Sequence, residues 1–215
     1  TMHSLFSNES QPYATAEYSI FIAEIASTFN ENLLLNESLR TSTDDAEKLM
    51  LLESYLDRVR GTVYAQTMHA DFELTIHEHV EQGLPLTAPW LKATWLEKFN
   101  DYMGTSQGVM TEDKTMSIQW AAIPHFFRPY YMFQYVTGMV ASSALAEVVT
   151  HGGEAEAKSY QTLLRAGGSK YALDILRDAG VDMAKPEPIE AAIRRFDQLV
   201  TEMETLYARL PKDAR

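Results

Sequence analysis

The acidic residues Glu17, Glu24 and Glu31 recur every seven positions. On a helix that spacing returns each carboxylate to the same side after two turns, about 10 Å from the next. Glu24 is the chemically pointed member, because Ile20, Phe21, Ile22, Ala23, Ile25, Ala26 and Phe29 surround it in the chain. A helix so apolar is expected to be buried on nearly every side, and an unpaired buried carboxylate costs several kcal/mol. The pattern leaves two solutions open. Either Glu24 is salt-bridged while Glu17 and Glu31 are solvated near the helix ends, or a metal ion or an imidazole cluster delivered by another helix holds the charge.

Two further groups of residues have chemical potential. His77-Glu78-His79 invites a metal reading, and Glu73, His77 and Glu81 form an i, i+4 ladder. The spacing argues against it. In the signature H-E-x-x-H the two histidines are four apart and converge on one ion, whereas His77 and His79 point about 200° apart on a helix. The ladder also lacks the E-x-x-H spacing of di-iron bundles. An exposed, charge-paired helix end is the expectation for these residues. The stretch IPHFFRPYYMFQY, from Ile123 to Tyr135, packs one His, one Arg and three Tyr among large apolar residues. A plain aromatic core holds fewer groups that must find hydrogen-bond partners when buried. Several Tyr hydroxyls and a His converging in a cavity could stabilise an oxyanion or grip a peptide backbone.

The elements that must position these groups are helical. Leu52, Leu56, Val59 and Val63 recur at steps of three or four, and no alternating strand is present, which predicts an all-α fold. One helix is expected from about Pro12 to Leu35, followed by a polar break, NESLRTSTDD, whose acids and hydroxyls suit a helix N-terminus. A long helix or kinked pair is expected from about Asp44 to Gln82. Gly83, Pro85 and Pro89 then make a turn, with Thr87 as the cap of a helix carrying Trp90, Leu91, Trp95, Leu96 and Phe99. YMGTSQGVMTEDKTM reads as a surface loop. Pro124 and Pro129 frame the start of the Tyr-rich segment, from which a helix should run to about Thr150. Two short helices separated by Gly167-Gly168 and stopped near Gly180 follow, and a last amphipathic helix starts at Pro188.

The bulk properties narrow the class. At 215 residues and 46% hydrophobic content the chain can bury a substantial core, as a single helical domain over residues 1–215. Eighteen basic against 30 acidic residues leave a net charge of -12, which argues against nucleic acid or an anionic membrane as partner. With no cysteine, thiolate catalysis, zinc ribbons and iron–sulfur clusters are excluded, and any metal must use His, Asp or Glu. The lack of cysteine also fits a cytoplasmic protein. No stretch approaches the roughly 20 apolar residues of a membrane span. TMHSLFSNES is neither a signal peptide nor a usual translation start, so the chain reads as a piece cut from something longer.

MHSLFSNESQPYATAEYSIFIAEIASTFNE and IPHFFRPYYMFQYVTG together resemble the zinc metallopeptidases of the M3 family, in their oligoendopeptidase F branch. Members carry H-E-x-G-H-x-M-H-S, a Q-P-Y turn, and a helix close to Y-S-I-F-x-A-E-x-A-S-T-F-N-E. This chain matches from just after the second zinc-binding His of that motif to its end, including FELTIHEHVEQGLPLT. The resemblance implies a zincin-like helical fold, Zn2+ as cofactor and short peptides as substrates. It makes Glu24 the third zinc ligand and places Glu31 in the metal's outer shell, where it could orient a His ligand. His3 takes the M-H-S position and is not one of the two ligand histidines. His125 and Tyr135, followed by Tyr131 and Tyr130, match the region that binds substrate and stabilises the oxyanion. The H-E-x-x-H pair and its general-base Glu are absent from these residues. The chain is therefore expected to be the C-terminal part of a peptidase catalytic domain, inactive and weakly zinc-binding alone, with the N-terminal part of the enzyme as its natural partner. The alternative is a noncatalytic helical protein that binds peptides or a partner through the Tyr-rich groove.

Overall fold

A computed structural model describes residues 2–111 and 113–210. Thr1, where the family resemblance begins, and Glu112, within the expected surface loop, lie outside the described residues. The described residues are helical with no strand, as the periodicity predicts. Nine α-helices lie among them: α1 (Met2–Ser10), α2 (Ile20–Thr41), α3 (Asp45–Val59), α4 (Ala65–Glu81), α5 (Ala88–Tyr102), α6 (Phe133–His151), α7 (Glu154–Arg165), α8 (Ala172–Asp178) and α9 (Glu187–Arg209). The chain forms two compact units. One comprises the described residues of Thr1–Arg60 and Thr137–Arg215, and the other is Gly61–Val136.

The first unit is built on α2. Ile22, Ile25, Ala26 and Phe29 form its inward stripe and meet Ala141, Leu145 and Ala146 of α6, Leu163 and Leu164 of α7, and Ile175 and Leu176 of α8. The Phe29 and Tyr160 rings stack with centroids 3.8 Å apart. Leu52 of α3 and Leu199 of α9 are fully buried where those two helices pack together. The α2 boundaries differ from the sequence expectation. Pro12 leads into a 3-10 turn, Tyr13–Thr15, and the backbone stays extended at Ser19, so the helix starts later than expected. The polar break does not end it, because Arg40 grips Glu37 one turn back through two hydrogen bonds of 2.8 and 2.6 Å. The stop falls at Ser42, and Asp44 caps the next helix by accepting from the Ala46 N–H at 3.0 Å.

The stretch expected as a long helix or kinked pair holds two helices, α3 and α4, joined in the chain by a π-turn, Arg60–Tyr64. In the second unit Met68 and Phe72 of α4 pack on Trp95 and Phe99 of α5. Thr87 caps α5 as expected, accepting from the Trp90 N–H at 3.4 Å. Lys98 pairs with Asp71 at 2.8 Å beside this core. Trp120 and Phe126, from the irregular segment before α6, complete the aromatic cluster.

Candidate active site

Glu24 lies on the exposed side of α2, which corrects the expectation that it is buried. Positions 22, 25, 26 and 29 fall on one stripe at helical spacing, and Glu24 stands about half a turn away from its centre. Ile20 is 46% exposed and Phe21 and Ala23 only half-buried, so the apolar run does not close around the carboxylate. Ser27 Oγ donates to Glu24 Oε2 at 3.3 Å, and no cation pairs with it among the described residues. Glu31 shares that exposed side and is held by Arg58 of α3. Glu17 precedes the helix, in the extended stretch after the 3-10 turn, so the heptad register breaks there. His3, on α1, is 5% exposed and stacks on Tyr18 at 3.6 Å, with neither ring nitrogen bonded. Burial lowers its pKa to about 4.

The second unit gathers His125, Tyr131 and Tyr135. The Tyr135 hydroxyl lies 3.2 Å from His125 Nε2. The Tyr131 ring stacks with His125 at 5.4 Å and meets Tyr135 edge-on at 5.5 Å. Arg128 sits over the Tyr131 face at 5.8 Å. The result is a ring nitrogen and hydroxyls in one half-buried cluster, the donor set that an oxyanion or a peptide carbonyl needs. Tyr130 is not part of it. Its backbone turns into the left-handed region, at φ 54°, and its ring stacks on His77 of α4 at 4.6 Å.

The profile of peptidase family M3 matches residues 1–195. The chain belongs to peptidase family M3. Oligopeptidase PepF of Bacillus subtilis (strain 168) is 40% identical over 210 residues, which is 98% of this chain and 31% of that protein. Chromosomal oligoendopeptidase F of Lactococcus lactis subsp. cremoris is 41% identical over 206 residues, covering 96% of this chain and 34% of that one. The crystal structure of oligoendopeptidase-F from Enterococcus faecium superposes with a TM-score of 0.86 at 38% identity, over 97% of this chain and 38% of that chain. This M3 chain thus spans about a third of the length of the relatives it matches.

Within this M3 chain, α4 departs most from what its spacing suggests. Glu78 and Glu81 are exposed as expected, but the rest of the expected exposed, charge-paired end is packed: Glu73 is 2% exposed, His77 stacks on Tyr130, and His79 stacks on Trp90 at 3.9 Å. The two histidines do point apart, as their spacing requires, and form no shared site. Glu73 accepts from the Tyr131 N–H through Oε1 and from the Met132 N–H through Oε2, each at 3.2 Å. The sequence signal for this is Glu73 next to Phe72 and one turn from the half-buried His69 and Ile76, where a carboxylate turned inward needs partners.

Proposed function

We propose that this chain is the part of a zinc-dependent oligopeptidase that supplies the third metal ligand and the substrate side of the site. In this reading Glu24 binds the metal through the carboxylate it leaves uncovered on α2. Among the described residues no three His, Asp or Glu side chains converge as a metal site, so the reading takes the remaining ligands and the general base from an H-E-x-x-H helix outside this chain. Zinc bound there supplies Lewis-acid activation of a water. His125 and Tyr135 donate hydrogen bonds to the carbonyl oxygen that gains charge as a peptide bond is attacked. Tyr131 packs against both and keeps them in register. Short peptides are the substrates of this reading.

The observation that carries the proposal is the 3.2 Å contact between the Tyr135 hydroxyl and His125 Nε2, in a Tyr-rich segment whose sequence resembles the family's substrate side. Two variants test it, made in a polypeptide that joins this chain to the H-E-x-x-H helix. Glu24→Gln is expected to lose zinc on dialysis. Tyr135→Phe is expected to keep zinc and lower kcat about 100-fold, the usual effect of removing one oxyanion donor. Full zinc retention in the first variant refutes the ligand role, and an unchanged kcat in the second refutes the oxyanion role. The 215 residues alone are expected to hold zinc weakly and to leave peptides uncut, which metal analysis and a peptide assay read directly.

A further inference from the structure

The turn between Pro129 and Phe133 carries Tyr131 of the proposed substrate side, yet its backbone is in an awkward conformation. Tyr130 is the only non-glycine with positive φ among the described residues, at 54°. A tyrosine there is disfavoured by contact between its Cβ and the neighbouring carbonyl, so the surroundings must hold it. A left-handed residue followed by consecutive backbone N–H groups makes a concave nest that suits an anion. Here the anion belongs to the protein: the buried Glu73 carboxylate, 58 residues away in sequence, receives the Tyr131 and Met132 N–H groups on its two oxygens. One helical turn further along α4, His77 stacks on the Tyr130 ring with an interplanar angle of 24°. From the other side Gln134 Nε2 donates to the Tyr130 carbonyl at 3.3 Å.

We infer that Glu73 is a positioning residue for peptide cleavage. Its carboxylate fills the backbone nest of residues 130–132 and fixes the direction in which Tyr131 enters the His125–Tyr135 cluster, while His77 fixes Tyr130. It touches no substrate and acts only through the turn. The i, i+4 pair Glu73 and His77 is thus a two-point clamp on one loop. Two backbone donors aimed at two carboxylate oxygens demand an acceptor at both positions. An amide in place of the carboxylate keeps the volume and one acceptor but turns an NH2 group toward the second N–H.

This role rests on the substrate-side reading of the Tyr-rich segment, and the test separates the two. Amide exchange at Tyr131 and Met132 is measured in the 215-residue chain as wild type, Glu73→Gln and Glu73→Ala. Kinetics on an internally quenched short peptide are measured with the same changes in the polypeptide that includes the H-E-x-x-H helix. Loss of a charge-assisted hydrogen bond leads us to expect exchange at these two amides faster by about tenfold or more in Glu73→Gln, with the α5 amides unchanged. Bound zinc should stay at the wild-type level while kcat/KM falls by about tenfold or more. Glu73→Gln keeps the core volume, so it carries the test if Glu73→Ala unfolds. Unchanged exchange at Tyr131 and Met132 overturns the anchor itself. Faster exchange with unchanged kcat/KM overturns the substrate-side reading of the turn and with it the positioning role.

Discussion

Asn32 follows Glu31 on α2 and, unlike Glu24, is buried in the protein. It is 7% exposed, its Oδ1 accepts from the Tyr55 hydroxyl at 2.6 Å, and its Nδ2 donates to the Thr28 carbonyl at 2.8 Å. This pair and the Arg58–Glu31 contact tie α2 to α3 at one level, the first from inside and the second from outside. The buried bond is the stronger constraint, since exposed ion pairs contribute little once solvent screens them. Burial raises the Tyr55 pKa, so the hydroxyl stays protonated and available as a donor. The pair lines a cavity of about 440 Å³, which lets water reach an orphaned amide oxygen. Tyr55→Phe is therefore expected to cost about 1 kcal/mol, toward the lower end for a buried polar group left unpaired. Urea denaturation checks it, and a loss near zero would mean that the bond does not set the α2–α3 register.

At the scale of elements, the link between α7 and α8 is the tightest point of the first unit. Gly167 adopts φ 51°, and a Cβ there would stand 2.3 Å from the Thr15 carbonyl oxygen. Gly168 donates its N–H to that same oxygen at 2.8 Å, and Gln11 Nε2 reaches the Arg165 carbonyl at 2.9 Å. The 3-10 turn before α2 is thereby clamped onto the end of α7. Gly167→Ala adds left-handed strain to a backbone clash and is expected to destabilise the chain by about 3 kcal/mol. A thermal melt within a degree of wild type would show that the two turns are not in contact. The sequence marks this place only as a break between two short helices, because Gly-Gly announces a turn but not what lies against it. Caps and breakers act locally and were legible: Thr87 caps α5, and Pro188 sits in the first turn of α9. The exposure of Glu24 depends on how the apolar residues are spread in angle around α2, which apolar content alone does not resolve. The burial of Glu73 depends on a turn 58 residues away, a distance at which periodicity carries no information. His125, Tyr131 and Tyr135 came together because they sit close in sequence, framed by prolines, whereas Tyr130 was turned aside by one left-handed residue.

For the molecule as a whole, the acid response follows from two histidines that burial holds well below their usual pKa, His3 and His69. His69 of α4 stacks on Trp95 at 5.3 Å and sits edge-on to Phe126 at 6.2 Å. Burial, aided by the nearby His125, lowers its pKa from 6.5 to about 4. Between those two values the unfolded chain binds a proton that the folded chain refuses, so stability rises with pH across that window. The contribution is complete above pH 6.5 and is lost as the pH falls toward 4. His3 titrates over the same window, and with 30 acidic residues the chain also has carboxylates that begin to protonate at its lower end, so the raw acid limb mixes these effects. His69→Phe separates them, since phenylalanine keeps an aromatic ring against Trp95 and binds no proton. The variant is expected to melt at a temperature that changes less than wild type between pH 6.5 and 4.5, with the two curves diverging as acid is added. Parallel curves over that interval would mean that His69 takes up its proton in the folded chain as readily as in the unfolded one, and that the packing around Trp95 admits the charge.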